Sequence, residues 1–282
     1  AGEHIRKVMG IVNGTTNFIL TKMADQGLEF GDALAEAERL GYTELDPTAD
    51  IEGFDPAEKA AILASIAFNT RVVSGDVYRE GIAAITAQDI AFAKRLGYTV
   101  KLLAIAEEQD GEVAVRVHPA MIPNEHPLAS VRDNLNAVFV EGESVGELMF
   151  YGRGAGGGPT GTSVVGDILD VARNLISGGR GPGCTCYADK RVRSIEGMYA
   201  QYYILLDVAD RSGVLARVAH AFGDNDVSIK SVWQEGHGDE AQLVLITHRA
   251  REGNLQATLH TLRALDDVTK IASVMRVEGA ET

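Results

Sequence analysis

The sequence predicts an α/β protein of the α+β type, in which a domain with a mixed β-sheet and helices precedes a smaller ferredoxin-like domain with the order β-α-β-β-α-β. Two observations support this fold class. Runs of strand length and runs with a helical period follow one another along the chain. A stretch rich in Gly and Pro, followed by polar residues without a period, divides them. We place the first domain at 1–176, the linker at 177–198 and the second domain at 199–282.

The first domain opens with a strand in RKVMGIVNG, which runs into a turn. Helices follow in TTNFILTKMADQG and GDALAEAERLG, ending near Gly27 and Gly41, since glycine readily adopts the left-handed backbone that ends a helix. A loop rich in carboxylates, YTELDPTADIEGF, leads into a third helix, DPAEKAAILASIAFN. Strands are predicted in TVKLLAIAEE, EVAVRVHPAMIP, NLNAVFVEGES and VGELMFYG, and the helix TSVVGDILDVARNLI closes this domain.

The second domain alternates strands and helices in a short, regular order. Strand patterns lie in YYILLDVAD, VSIKSVWQEG, AQLVLITHRA and KIASVMRVEG, and helical patterns lie in GVLARVAHAFGDN and GNLQATLHTLRAL. This order is that of a ferredoxin-like unit. Because the segment lies beyond a glycine-rich linker, we expect few contacts between it and the rest of the chain.

Charge and hydropathy exclude several classes of partner. The 282 residues carry a formal net charge of −14 and a pI of about 4.9, which repels nucleic acid and anionic lipid. No apolar run approaches the roughly 20 residues of a membrane helix, and the N-terminal residues lack the layout of a signal peptide. We expect a soluble, cytoplasmic protein that binds neither nucleic acid nor membranes.

Only two cysteines occur, Cys184 and Cys186. A C-x-C pair without a second Cys or His cluster is a poor signal for zinc, and cysteines this close seldom reach good disulfide geometry. We expect no metal site and interpret the pair as two thiols in a mobile linker of a reducing compartment.

The loop from Tyr42 to Asp55 concentrates negative charge. So many like charges require a compensating cation, and the spacing of a calcium loop is absent. We favour the ammonium group of an amino-acid substrate, held by two of the carboxylates. For Asp46 and Glu52 we prefer the interpretation that they are solvated loop residues. The acids of this loop are Glu44, Asp46, Asp50, Glu52 and Asp55.

Asp55 and Lys59 allow two interpretations. The run D-P-A-E predicts Asp55 as the N-cap of the third helix, with Pro56 first in the helix and Glu58 third. Lys59 then begins a helix that is apolar on nearly every face and is therefore expected to be buried. A lysine there needs a partner or a shifted pKa, as functional sites do. An Asp-Lys surface pair explains the spacing equally well.

A glycine-rich string, GRGAGGGPTG, precedes the last helix of the first domain. Gly152, Gly154 and Gly157 fit G-x-G-x-x-G, but no second strand ending in an acidic residue follows, so a complete dinucleotide site is rejected. The glycines permit close backbone approach, and the start of the helix near 160–163 offers free N–H groups. We expect a contact with a cofactor held mainly by another domain.

Over residues 7–174, successive blocks resemble homoserine dehydrogenases in the order of that family. The blocks include GIVNGTTNFILTKM, VHPAMIPNEHPLASVRDNLNAVFVEG and MFYGRGAGGGPTGTSVVGDILDVAR, and the most specific is G-Y-x-E-x-D-P-x-x-D-[IV]-x-G-x-D-x-x-x-K. By position, the resemblance implies that Asp55 and Lys59 are the catalytic pair. It also implies substrate contacts from Tyr42, Glu44, Asp50 and Thr16, and cofactor contacts from Gly14, Thr15, Gly152, Gly154 and Gly156.

The resemblance implies an oxidoreductase that interconverts L-homoserine and L-aspartate 4-semialdehyde with NAD or NADP, in the biosynthesis of threonine, methionine and isoleucine. Members of this family begin with a Rossmann domain, which this sequence does not show. We therefore expect a truncated form that is inactive alone, whose preference for NAD or NADP is decided in the missing part. A homodimer or homotetramer is expected.

The second domain is similar to ACT domains, through D-R-S-G-V-L at 210–215 and the strand order. The resemblance implies feedback control by a small amino acid, with threonine as the expected effector and regulatory contacts from Asp210, Gly213, Val214 and Asn225. A turn that ends the helix is an equally good explanation of Asn225. The alternative for the whole chain is a stand-alone amino-acid-binding regulatory protein, which would have no need of Lys59.

Overall fold

The computed structural model describes residues 2–43, 45–181, 183–236 and 241–279. It divides into two compact units that each combine distant segments of the chain. The first unit comprises 1–83, 102–118 and 130–192, and the second comprises 84–101, 119–129 and 193–282. In the described residues, no helix has both the length and the hydropathy to cross a membrane.

The secondary structure follows the predicted order closely. The strands are β1 (Ile5–Ile11), β2 (Tyr78–Arg79), β3 (Tyr98–Gln109), β4 (Glu112–Pro123), β5 (Asn136–Gly142), β6 (Gly146–Gly152), β7 (Tyr199–Val208), β8 (Ile229–Glu235), β9 (Ala241–Thr247), β10 (Ala250–Arg251) and β11 (Val268–Val277). The helices are α1 (Gly14–Gln26), α2 (Phe30–Arg39), α3 (Thr48–Ile51), α4 (Phe54–Phe68), α5 (Ala87–Arg95), α6 (Gly157–Ser177), α7 (Val214–Gly223) and α8 (Glu252–Arg263). Short 3₁₀ turns lie at Ser74–Asp76, Pro127–Ser130 and Ile195–Gly197.

The first unit is built on a mixed sheet with the strand order β6-β5-β1-β3-β4. Strand β1 runs antiparallel to β3 and β5, and the short β2 lies parallel to β4. Helix α1 follows β1 directly and buries Phe18, Ile19 and Met23 in the core. It ends as predicted, because Gly27 adopts a left-handed backbone with φ of 66°.

The second unit confirms the ferredoxin-like pattern. Its strands lie in the order β4-β11-β7-β9-β8, with β11 parallel to β4 and antiparallel to β7. Alternate residues of β7, among them Tyr202, Ile204 and Leu206, join a core with Phe222 of α7 and Leu255 of α8. The intervening residues Tyr203 and Leu205 point to the other face and are buried as well, so both faces of β7 are covered.

The start of helix α4 differs from the prediction. Asp55 is not the N-cap, because Gly53 adopts a left-handed backbone with φ of 79° and the helix begins at Phe54. The helix was also predicted to be buried, but one of its sides is exposed. Small residues pack inward, while Ile62 and Ile66 remain 59% and 65% exposed. A capping role therefore does not account for Asp55.

Helix α6 begins at Gly157, earlier than the predicted start near 160–163, and Gly156 is its N-cap. No residue of this 21-residue helix is buried, although its sequence contains Val164, Ile168 and Leu175. The helix therefore presents apolar side chains that this chain leaves uncovered.

The segment that was predicted to be a mobile linker is partly fixed. The N–H of Ala188 donates to the carbonyl of Asn69 at 2.8 Å, and the N–H of Val113 donates to the carbonyl of Arg191 at 2.9 Å. These contacts attach the end of the segment to the first unit. The functional boundaries at 176 and 199 stay a prediction.

The expectation that few contacts attach the C-terminal segment is wrong. Strand β11 pairs with β4 at Arg276 and Ala120, and the hydroxyl of Tyr203 donates to Asp89 of helix α5 at 3.4 Å. The side chains of Gln88 and Gln242 also bond at 2.8 Å. Helix α5, which was not predicted, thus belongs to the same compact unit as the C-terminal strands.

Candidate active site

The centre of the site is Asn13, the residue that directly precedes α1. Its side-chain oxygen accepts a hydrogen bond from the N–H of Thr16 at 2.9 Å, as an N-cap does. Since this oxygen must face a donor, the amide nitrogen points the other way. There it donates to Asp50 at 2.7 Å and to Asp55 at 2.9 Å. One buried amide therefore holds two carboxylates together.

Lys59 completes this cluster. Its ammonium group donates to Asp55 Oδ2 at 2.8 Å and to the carbonyl oxygen of Val12 at 3.0 Å. The same carboxylate oxygen thus receives both Lys59 and Asn13. The Lys59 side chain is 45% exposed, so its free face remains open to a ligand. The prediction that this lysine has a carboxylate partner is confirmed, but the lysine is not buried.

The two aspartates are placed by the successive helices α3 and α4, which Gly53 joins. The neighbouring segment holds this corner: the guanidinium of Arg79 lies 3.4 Å from the ring centroid of Phe54 and donates to the carbonyl of Glu52 at 3.1 Å. Gly81 packs so closely that a Cβ atom there would lie 2.3 Å from the carbonyl oxygen of Ile51. The turn between α3 and α4, which carries Asp50 and Asp55 on its two sides, is therefore tightly packed.

A cleft of about 490 Å³ lies beside Lys59 in the first unit. Its walls are largely apolar and include Val12, Ile62 and Phe150, with Gly152 and Gly154 at the edge. A Cβ atom on Gly154 would lie 2.3 Å from the side-chain nitrogen of Asn136, so a larger residue here would have to displace the Asn136 side chain. The cleft therefore combines largely apolar walls with the cationic side chains of Lys59 and Arg153.

The predicted residues Thr15, Thr16 and Tyr42 make contacts with the protein itself. Thr15 donates through its hydroxyl to the carbonyl of Tyr42 at 2.6 Å, and the Tyr42 ring packs edge-on against Phe18 with centroids 4.9 Å apart. Thr16 is buried, and its hydroxyl lies 3.1 Å from the side-chain oxygen of Asn13, so it holds Asn13 rather than facing the cleft. Glu44 lies outside the described residues.

Two glycines and one acid have local structural roles. Gly14 opens helix α1, where a Cβ atom would lie 2.8 Å from the carbonyl of Asn134. Gly156 has φ of 110° and turns the chain into α6. Asp46 accepts the N–H of Thr48 at 3.0 Å, and hydrogen bonding from Thr48 lowers the pKa of Asp46. This contact agrees with the interpretation of Asp46 as a loop residue.

Asn13 is the site residue that the sequence analysis missed. Its role as a helix cap was readable from the N-G-T-T run at the start of α1. Its contacts with Asp50 and Asp55 could not be predicted from the sequence, because they depend on the fold bringing three segments together. The carbonyl of Val12 was also missed, since every residue offers such a group.

A second cavity, of about 280 Å³, lies in the second unit at the start of helix α7. Its lining includes Asp210, Gly213 and Val214, together with Gln234 of β8. Gly213 adopts φ of 89° and is the N-cap of α7; the N–H of Val214 donates to the carbonyl of Arg211 at 3.3 Å, and the next N–H groups of the first turn have no partner within the helix. The cavity thus offers a carboxylate and a helix N-terminus to one ligand.

Asn225 is not part of this cavity. Its amide donates to the carbonyl of Ala221 at 2.8 Å and lies 3.4 Å from the hydroxyl of Thr261. The left-handed residue after α7 is Asp226, with φ of 56°. The side chain of Asn225 therefore ties the end of α7 to α8, and its role as a ligand contact stays a prediction.

Comparison with known proteins agrees with this arrangement. A family model described as homoserine dehydrogenase matches residues 1–169, and one described as ACT domain matches residues 202–267. The homoserine dehydrogenase of Corynebacterium glutamicum is 51% identical over 283 residues, which cover 99% of this chain and 64% of that protein. This chain therefore spans less than two thirds of the length of that relative.

Solved structures give the same result. A homoserine dehydrogenase from Thiobacillus denitrificans superposes with a TM-score of 0.93 at 39% identity, covering 98% of this chain and 64% of that one. A hyperthermophilic archaeal homoserine dehydrogenase mutant in complex with NADPH gives a TM-score of 0.52 at 31% identity, covering 61% of this chain and 49% of that one. The chain that holds Asp50, Asp55 and Lys59 around Asn13 belongs to the homoserine dehydrogenase family and carries a C-terminal ACT domain.

Proposed function

We propose that the protein containing this chain is an NAD- or NADP-dependent homoserine dehydrogenase, which interconverts L-homoserine and L-aspartate 4-semialdehyde. The observation that carries the proposal is the position of Lys59. Its ammonium group is oriented by Asp55 and by the carbonyl of Val12 at the edge of a mostly apolar cleft. A proton donor thus lies beside a space suited to a nicotinamide ring.

Lys59 manages the proton of this reaction. When the C4 carbonyl of the semialdehyde is reduced, its oxygen gains negative charge, and the Lys59 ammonium donates a proton to it directly or through water. Asp55 keeps the ammonium in place. Proton transfer from a positioned group typically contributes about 10²- to 10⁴-fold to the rate.

Asp50 and Glu44 are the proposed partners of the substrate, and Glu44 is proposed from the family resemblance alone. Asp50 is half-buried and shares the amide of Asn13 with Asp55. Its other oxygen can accept a hydrogen bond from the substrate ammonium. Tyr42 lines the approach. Asn13 is a positioning residue, which fixes the separation of Asp50 from the catalytic pair.

NAD or NADP supplies the hydride when bound. The residues present fit part of such a cofactor, since the space beside the Cα atom of Gly152 is open and the cleft walls are largely apolar. The archaeal relative in complex with NADPH supports a nicotinamide cofactor. We propose that the remainder of the longer protein holds most of the dinucleotide and covers the exposed apolar residues of α6.

The test is substitution of Lys59 in the full-length protein. Lys59→Ala is expected to lower kcat by about 10²-fold or more, with a smaller change in KM, because its contribution is made in the transition state. Lys22→Ala is a matched control, since Lys22 also pairs with a carboxylate, Glu36, at 2.9 Å. A near-normal kcat in Lys59→Ala would contradict the proposal and would mean that Lys59 only forms a surface ion pair with Asp55.

We further propose that the ACT domain binds threonine in the cavity at the start of α7. The ligand carboxylate would meet N–H groups of the first turn beyond Val214, and Asp210 would accept the ligand ammonium. Threonine would then inhibit by binding one conformational state better than another. A homodimer or homotetramer would bring two such domains together, with the edge strand β8 covered by a partner.

Calorimetry on this chain tests the effector. Threonine should give a binding heat that homoserine gives only at higher concentration, and Asp210→Asn should weaken it. Asn225→Ala is the matched control, because Asn225 lies outside the cavity and should leave threonine affinity unchanged. Absence of a threonine heat at millimolar concentration would remove the regulatory proposal and leave the dehydrogenase proposal intact.

A further inference from the structure

The chain's two cysteines lie together in the loop that follows α6. Cys184 is exposed and Cys186 is half-buried. The backbone N–H of Cys186 donates to the sulfur of Cys184 at 3.3 Å. Neither thiol lines the cleft beside Lys59 or the cavity of the ACT domain. Any reaction of the two thiols would therefore take place outside these two sites.

The two thiols are not equivalent. Hydrogen bonds from the backbone N–H and the thiol of Cys186, with a smaller contribution from the charge of Arg71, lower the pKa of Cys184. The pKa of Cys186 is raised, first because its thiol donates to Cys184. Because the thiolate is the reactive form, Cys184 is suited to attack first, whereas Cys186 retains its proton longer.

The loop holds one cysteine near a fixed point and leaves the other room to move. Just beyond Cys186, the N–H of Ala188 bonds to Asn69 at 2.8 Å and the N–H of Lys190 bonds to the hydroxyl of Thr70 at 3.2 Å. Just before Cys184, a Cβ atom added to Gly181 or Gly183 would have open space for 4 Å around it. Glycine gives this side the backbone freedom that ring closure requires.

We propose that Cys184 and Cys186 form a thiol–disulfide exchange site for small disulfides of the glutathione type. The Cys184 thiolate attacks one sulfur of the disulfide, forms a mixed disulfide and releases one thiolate. Cys186 then loses its proton and attacks the Cys184 sulfur, which releases the second thiolate. Two protein thiols are oxidised to one disulfide, and the small disulfide is reduced to two thiols that take up the protons.

Ring size determines how stable the product is. With one residue between the cysteines, the disulfide closes a very short loop, which gives little of the stabilisation that a long closed loop gives. Exposed disulfides are among those that are easily reduced, and Cys184 is exposed, which places the bond in the range of labile rather than structural bonds. The pair should therefore oxidise and reduce reversibly as the glutathione ratio changes.

The experiment equilibrates this chain with defined ratios of reduced and oxidised glutathione, blocks free thiols by alkylation and analyses the peptide that spans 184–186 by mass spectrometry. We expect an intrachain disulfide that increases with the oxidised fraction and disappears on return to reduced glutathione. The proposal is overturned if wild-type chain shows no intrachain disulfide at any ratio.

Single substitutions test the order of attack, and both positions lie on a surface loop where folding is not at risk. Cys186→Ser should accumulate glutathione on Cys184, because the second thiol is absent. Cys184→Ser should react at Cys186 more slowly than Cys186→Ser reacts at Cys184, since Cys186 is the less exposed thiol and the one that holds its proton longer. Equal rates, or faster reaction in Cys184→Ser, would contradict the assignment of Cys184 as the attacking thiol.

Discussion

Replacing Asn13 by Asp changes the active-site cluster while sparing the helix that follows it. Aspartate keeps an oxygen for the N–H of Thr16 and is as good an N-cap as asparagine, so α1 should remain capped. The amide nitrogen that reaches Asp50 and Asp55 at 2.7 and 2.9 Å becomes an oxygen. Two hydrogen bonds are lost, and a third carboxylate enters the cluster.

The size of the effect follows from these contacts. A hydrogen bond to a charged group is worth about 1.5–3 kcal/mol. Loss of the bond to Asp55 alone, which orients Lys59, should lower kcat/KM by roughly 10- to 150-fold. A third carboxylate also disfavours the ionised forms of its neighbours. The acid limb of the profile of kcat/KM against pH should therefore move to higher pH.

The assay is steady-state oxidation of homoserine by the full-length protein over a range of pH, with circular dichroism as the check on folding. Asn13→Ser is the matched control, because serine also caps the helix but adds no charge. It should lower kcat/KM without moving the acid limb. A folded Asn13→Asp protein with wild-type kcat/KM and an unmoved acid limb would refute the positioning role of Asn13.

Three further outcomes are expected. Gly81→Ala should raise KM for homoserine and lower the free energy of unfolding, measured by urea denaturation, by about 1–3 kcal/mol, because the new methyl group would lie 2.3 Å from the carbonyl oxygen of Ile51. Unchanged KM and stability would count against this packing argument. Arg276→Met should lower the free energy of unfolding by about 3–5 kcal/mol, because it removes the guanidinium that lies 2.9 Å from the buried carboxylate of Glu252. Adding Glu252→Gln should recover most of that loss. This chain alone should show no turnover of homoserine with NAD or NADP, and measurable activity would contradict the need for a further nucleotide-binding domain.

Local signals predicted much of this fold. The end of α1 at Gly27 and the ferredoxin-like order of the second unit were both readable, because each depends on neighbouring residues or on a regular period. Helix α5 was missed although Thr86 and Asp89 form a capping box that the sequence displays. The failure at Asp55 has another cause: a left-handed Gly53 lets α4 begin at Phe54, whereas composition favoured the more common Asp cap.

The site was predicted in part. Asp55 and Lys59 are four residues apart on a helix, so their contact followed from helical geometry. Their link to Asp50 passes through Asn13, whose partners come from other segments. Long-range contacts of this kind depend on tertiary packing, which no local pattern encodes. The pairing of β11 with β4 was unreadable for the same reason.

That pairing bears on how the proposed feedback control could be removed. A cut after residue 198 would remove β11 and leave Ala120 and Met121, both fully buried in the intact chain, at an open sheet edge. Open apolar edges invite aggregation. Desensitised enzymes should therefore arise from substitutions in the effector cavity, with the C-terminal strands kept in place, rather than from truncation.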